Sequence, residues 1–351
     1  MSSLNYQKPV RMLRSGEVRD ALLPRRYSYA AVAAAVVVGL LAPGAANWLL
    51  GPVLLVGMVV LGVAHGACDQ FVVPATHPAL SRSRGRYWAV FLGGYLGLAA
   101  AVAAVWWWQP VLALTLFFGL TAWHWGSADA PAPAATHGRR QWLAHSLLRG
   151  GLLFAVPLWR WPAETGAVLN GLLDLTGAIP VAAPVLAQVV AVLGPVVLAG
   201  HGLLWLSYGW QGQQGLVRTD VLEVLLLTAL LVVLPPVLSA GAYFVFWHSL
   251  QHVLRMNELM DKTGATLRAG IGAEIGFFLR RSAPLLLVSL GALAVLYGLA
   301  WVRAADGSVL VSLALLVASV VTLPHALLVT LGMDAARWHS KHTADGIRVA
   351  G

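Results

Sequence analysis

Phe246-Trp247-His248-Ser249-Leu250-Gln251-His252 is the stretch on which the reading of this chain turns. Two histidines stand four residues apart inside a run that is otherwise apolar. On a helix that spacing stacks both imidazoles on one face, one turn apart. Each ring offers one lone pair to a metal and keeps its other nitrogen free to donate a hydrogen bond. In a water-soluble helix the same pair serves equally well as polar packing between helices. Inside a membrane span a polar side chain is costly, and it is kept mostly for function. The stretch therefore raises two questions: whether its surroundings are a membrane, and whether other segments bring further ligands to the same depth.

Composition answers the first. Of 351 residues, 59% are hydrophobic and only 11% charged, with a mean hydropathy of +0.75. A soluble domain carries about 25% charged residues, and apolar runs recur here from one end to the other. The expectation is an all-α polytopic membrane bundle forming one domain. The net charge of +9 does not indicate nucleic acid as a partner, because the basic residues fall in short loops where they set orientation. The single cysteine, Cys68, excludes an intrachain disulfide and a four-cysteine zinc site. The first 26 residues hold six Lys/Arg and no apolar core, and read as a basic cytoplasmic tail in place of a cleaved leader.

Apolar length predicts ten spans, at about 27–41, 48–68, 87–108, 110–126, 141–159, 181–208, 221–238, 242–260, 283–302 and 309–333. The stretch around Glu164, Asn170 and Asp174 reads as a short interfacial or re-entrant piece, and 265–281, with Arg268, Glu274, Arg280 and Arg281, as a helix on the membrane surface. With both termini inside, nearly all Lys/Arg outside the spans lie on the cytoplasmic side, leaving Arg160 and Arg303 opposite.

This topology places His65, His124, His201, His248, His252 and His325 on the even-numbered spans, all in the cytoplasmic half of the bilayer. Scattered packing histidines have no reason to share a depth. His65 and His124 also share a local pattern, a small Gly-containing segment followed by Asp69 or Asp129. Small residues permit close helix approach, and a carboxylate is a suitable acceptor for the distal N–H of a ligand imidazole. His65, His124, His248 and His252 are the candidate metal ligands and catalytic centre, with Asp69, Asp129, His201 and His325 behind them. Four nitrogens on six-coordinate Fe(II) leave two positions open, whereas four-coordinate structural zinc would be closed; copper also accepts such ligands. His77, His137, His339 and His342 fall in loops or tails, and His145 is assigned no role. Trp123, Trp125, Tyr243, Phe244, Phe246 and Trp247 crowd these histidines. They are candidates to line a site for a long, flat, apolar substrate entering from lipid, or else belt and core residues.

His65-Gly66 with Asp69, His124-Trp125-Gly126 with Asp129, Trp247-His248-Ser249 with His252, and Pro324-His325 together resemble the Brp/Blh family of membrane β-carotene 15,15'-dioxygenases, over most of the chain. The resemblance implies a helical membrane enzyme that uses iron and dioxygen to split the central double bond of β-carotene into two retinal molecules. It implies that His65, His124, His248 and His252 are the iron ligands. It also implies a retinal-binding rhodopsin as recipient, and a multi-pass position in the inner or plasma membrane, in contact with lipid. On this reading residues 27–335 are the catalytic domain and 336–351 a cytoplasmic tail. Two rivals come from other classes. A di-iron hydroxylase or desaturase calls for more histidine boxes than the single HxxxH present. A metal or retinoid transporter calls for polar groups spread through the membrane thickness.

Overall fold

Prolines divide the apolar sequence into helices. The computed structural model describes residues 25–131, 138–260, 270–302 and 307–334, and among these the only regular structure is helical. Helix α1 (Arg25–Leu41) ends at Ala42, where the following Pro43 disfavours helical backbone. A tight turn leads into α2, which runs through Ala46–Gly57, a wide π-helical turn at Met58–Val63, and Ala64–Gly66. A short 3-10 turn (Asp69–Phe71) and α3 (Val72–Thr76) follow. Then come α4 (Arg84–Trp108), α5 (Pro110–Asp129), α6 (Arg139–Arg160), α7 (Pro162–Asp174), α8 (Ala183–Trp210) and α9 (Gln214–Val233). Helix α10 is continuous through Pro236–Ala242, a second π-helical turn at Tyr243–Ser249, and Leu250–Met260. Helix α11 is Ile271–Val302, and α12 runs through Gly307–Leu328 into a third wide turn at Val329–Met333. Pro110, Pro162 and Pro236 each open a helix at its first position, where the missing N–H costs nothing.

All ten predicted spans are occupied by helix. Among the described residues, six stretches are long and apolar enough to cross a membrane: Pro43–Thr76, Arg84–Trp108, Pro110–Asp129, Ala183–Trp210, Ile271–Val302 and Val309–Met333. Four of the expected spans fall outside this set. Helix α1 has only 17 residues. Helices α6, α9 and α10 carry Arg149, Asp220, Glu223, His248 and His252, and turn all five inward. Helix α4 buries only Trp106 of its 25 residues, whereas α6 buries ten of 22. Helix α4 therefore lies at the rim and α6 in the interior, while the equally apolar α2 and α12 still contribute His65 and His325 to the interior.

Two boundaries differ from expectation, and one stretch left open between two readings is a helix. The surface helix predicted before span nine is not a separate element: from Ile271 onward it belongs to the 32-residue α11, which stays helical past Pro284 although that residue removes one ladder bond. Its Glu274 is buried and accepts a hydrogen bond from Asn257 of α10. The stretch around Asn170 is helix α7, whose Leu172 and Leu173 are fully buried. Asn170 caps the next segment by exchanging two hydrogen bonds with the Val181 backbone, at 2.7 and 3.2 Å. Helix α1 also begins two residues earlier than expected, so that Arg25 belongs to the bundle and not to the tail. Residues 1–24, His137, residues 261–269, Arg303, His339, His342 and the tail 336–351 lie outside the described residues.

Helices α5 and α6 cross at backbone distance. A Cβ on Gly126 would lie 1.8 Å from the Ser146 carbonyl oxygen, and one on Gly150 would lie 1.9 Å from that of Ala122. Small residues are what let membrane helices approach so closely. Of the two Gly-containing segments singled out in the sequence, only Gly126 meets a neighbour; a Cβ on Gly66 would meet none within 4 Å.

Candidate metal centre

His65 comes from the end of α2, His124 from α5, His248 and His252 from α10, and His325 from α12. All five are at most 6% exposed. Their rings form one cluster. His325 has its ring centroid 4.8 Å from His65, 5.0 Å from His124 and 5.3 Å from His252. His65 lies 5.2 Å from His252 and 5.8 Å from His248, and His124 lies 5.0 Å from His248. The spacing of four does what helical geometry requires: Phe244, His248 and His252 form a near-parallel ladder, with interplanar angles of 18° and 20°. This ladder begins on a π-helical turn, and π-helical turns also flank His65 and His325. Such turns interrupt regular helices mostly at functional sites.

The hydrogen-bond inventory is unusual. Both ring nitrogens of His124, His248 and His252, and Nε2 of His325, are buried without a hydrogen-bond partner. Buried polar atoms are nearly always paired, and an unpaired one costs about 1–3 kcal/mol. Seven such atoms converging from three helices are out of place in a packing core. A neutral ring has one lone-pair nitrogen, so these four rings offer four lone pairs, which suits a site that holds a cation. Neutral imidazole suits iron, copper and zinc alike, so the donor set fits a first-row metal. Among the described residues, the ligand atoms of Asp69, His252 and His325 approach most tightly, within 4.8 Å of one another.

The two aspartates do not face the histidines that precede them in sequence. Helix α2 ends at Gly66, so the i, i+4 relation of His65 and Asp69 is broken. Both Asp69 oxygens instead lie 2.9 Å from Nδ1 of His325, and Tyr95 donates to Asp69 at 3.2 Å. His65 Nδ1 faces the Leu61 carbonyl at 3.3 Å. Asp129 follows His124 by five residues, about 140° around the helix, and accepts from the Tyr243 hydroxyl at 3.0 Å. His325 thus lies among the rings, closer in than its expected place behind them. His201 lies elsewhere, with Nδ1 2.8 Å from the Val197 carbonyl and its ring beside Trp205.

The aromatic candidates separate in the same way. Phe244 packs on His65 and His248, and Trp125 on His248, Phe244 and Tyr243. Trp123, two residues from Trp125 and so nearly opposite on the helix, packs on Trp142. Trp247 is fully buried against Tyr29, and Phe246 packs on the main core. Phe154 of α6, not singled out in the sequence, stacks on Trp125 at an interplanar angle of 11°.

A second polar centre lies on α1, α6, α8 and α9. Arg149 bridges Asp220 (2.5 Å) and Glu223 (3.0 Å). Arg25 and Tyr29 reach Glu223 at 2.5 and 2.7 Å, and Trp205 donates to Asp220 at 2.6 Å. His145, whose Nδ1 is 3.0 Å from the Tyr208 hydroxyl, belongs to this group. The signal for it was available: ionisable residues within apolar spans.

Residues 56–333 match the family profile described as Beta-carotene 15,15'-dioxygenase. The chain belongs to that family. The matched range holds all five clustered histidines of this β-carotene dioxygenase family member, whereas Arg25 and Tyr29 precede it. The chain is 31% identical over 292 residues to the probable beta-carotene 15,15'-dioxygenase Blh of Halobacterium salinarum, covering 79% of this chain and 82% of the relative. It is 27% identical over 221 residues to the probable beta-carotene 15,15'-dioxygenase Brp of the same species, covering 60% of this chain and 59% of that relative. No solved structure matches the chain.

Proposed function

We propose that this protein cleaves the central double bond of β-carotene with dioxygen to give two retinal molecules. Family membership supports the reaction, and the observation that carries the site is the set of unpartnered, buried imidazole nitrogens on α5, α10 and α12. His65, His124, His248 and His252 are the residues assigned to hold iron(II). When bound, iron(II) supplies the redox chemistry by which dioxygen attacks an unactivated polyene. One β-carotene and one dioxygen contain the atoms of two retinal molecules, so the reaction needs no reductant and no net proton.

The chain's own task is to place an apolar substrate and exclude water. Trp125, Phe244 and Phe154 offer a continuous aromatic surface beside His248, suited to a flat polyene arriving from lipid. Convergence of the imidazoles on one place favours a reaction centre over a transport path, which would spread its polar groups through the membrane.

The topology that goes with this reading has ten crossings and both termini on the cytoplasmic face of the plasma or inner membrane, as the basic residues favour. A retinal-binding rhodopsin is the partner that the product suggests.

Expression in cells that accumulate β-carotene tests the reaction. Loss of colour with appearance of retinal is expected; unchanged pigment despite protein in the membrane would overturn it. Stripping the purified protein with a chelator should stop retinal formation, and iron(II) should restore it. Recovery with zinc(II) alone would remove the assignment to iron.

A further inference from the structure

His325 is the one histidine of the cluster with a carboxylate in front of one nitrogen and no hydrogen-bond partner at the other. Nδ1 has the Asp69 carboxylate in front of it, both oxygens at 2.9 Å. A carboxylate only accepts, so Nδ1 carries the proton and donates it. Nε2 is then the lone-pair nitrogen, and it is buried, without a hydrogen-bond partner, among the rings of His65, His124 and His252. Asp69 itself is 1% exposed and engaged by His325 and by the Tyr95 hydroxyl at 3.2 Å. Its oxygens are therefore occupied in orienting a ring.

We infer that His325 is a fifth metal ligand, acting through Nε2, and that the Asp69–Tyr95 pair is the device that selects its tautomer. The inference rests on the metal reading of the histidine cluster and extends it. A carboxylate behind a ligand imidazole raises the basicity of the ring, and among the described residues Asp69 is the one carboxylate in contact with the five imidazoles. Five imidazole donors would leave the polyene to be held by apolar surface alone, with Trp125 and Phe244 beside His248. The covalent distance also matters. Asp69 and His325 are 256 residues apart, so this pair joins the first ligand helix to the last.

The test is titration of metal-stripped, full-length protein in detergent with iron(II) under anaerobic conditions, and separately with cobalt(II), whose visible bands report coordination number. His325→Ala should weaken binding and change the cobalt bands, and added free imidazole should restore both, which it would not do for a residue that only packs. Asp69→Asn should weaken binding by about 10–100-fold, the usual effect of losing a partner behind a ligand, and by less than His325→Ala. It also serves should His325→Ala fail to fold. Unchanged affinity and bands in folded His325→Ala, alongside loss of metal in His248→Ala, would overturn the fifth ligand and leave the four-histidine site standing. Affinity unchanged in Asp69→Asn would overturn the orienting role. Failure of the parent protein to bind either metal would remove the metal reading itself, and this inference with it.

Discussion

The two buried polar centres are built from opposite principles. Around Arg149 the charges compensate: Asp220 and Glu223 face Arg149 and Arg25, with Tyr29 and Trp205 adding hydrogen bonds. Around His325 and its neighbours the polar atoms are gathered and left unpaired. A compensated centre works as a clasp: in apolar surroundings its charges stabilise only each other, so it ties α1, α6, α8 and α9 together. An uncompensated centre costs stability until something binds, and that cost is what supports the proposed site. Asp129 connects the two, since it shares α5 with His124, accepts from Tyr243 on α10, and gives its backbone oxygen to Arg25 at 3.2 Å.

Five substitutions would break or sharpen this contrast. The largest effect on function is expected from His124→Ala or His248→Ala, which should bring retinal formation to background while leaving thermal unfolding of the metal-free protein close to the parent. A large stability loss there would mean that the rings are packing elements after all. Arg149→Ala should do the reverse. Removing one partner of a buried charge cluster costs about 3–5 kcal/mol, read as early unfolding in detergent with metal affinity unchanged in the fraction that remains folded. Gly126→Ala should cost roughly 1–3 kcal/mol by overpacking, because its Cβ would overlap the Ser146 carbonyl; full stability would show that the α5–α6 crossing relaxes easily. Tyr243→Phe removes one hydrogen bond to Asp129, worth about 1 kcal/mol. If it leaves both stability and metal affinity unchanged, the clasp and the site are independent.

Much of the candidate site's clustering was legible because it depends on local geometry. His248 and His252 stack as a spacing of four dictates. His65 and His124 join them in one ring cluster, as the expected common depth required. What failed were extensions of local reasoning past the point where a helix stops or rotates. Asp69 looked like the partner of His65 four residues earlier, but α2 ends between them. Asp129 stands five residues after His124, which turns it toward Tyr243. Trp123 and Trp125 looked equivalent, yet residues two apart face opposite ways, and only Trp125 reaches His248.

By itself, then, the sequence determined that the chain is a helical bundle suited to a membrane and that histidines would collect at one level, because span length, hydropathy and i, i+4 spacing are properties of single helices. Only the tertiary structure decided which carboxylate serves which ring, that His325 lies inside the cluster, and that the charges of α6 and α9 are compensated from α1. Those pairings depend on how each helix is rotated about its axis and where its π-helical turns fall. Both are set by packing between segments more than 100 residues apart, as with His325 and Asp69 or Glu223 and Arg25.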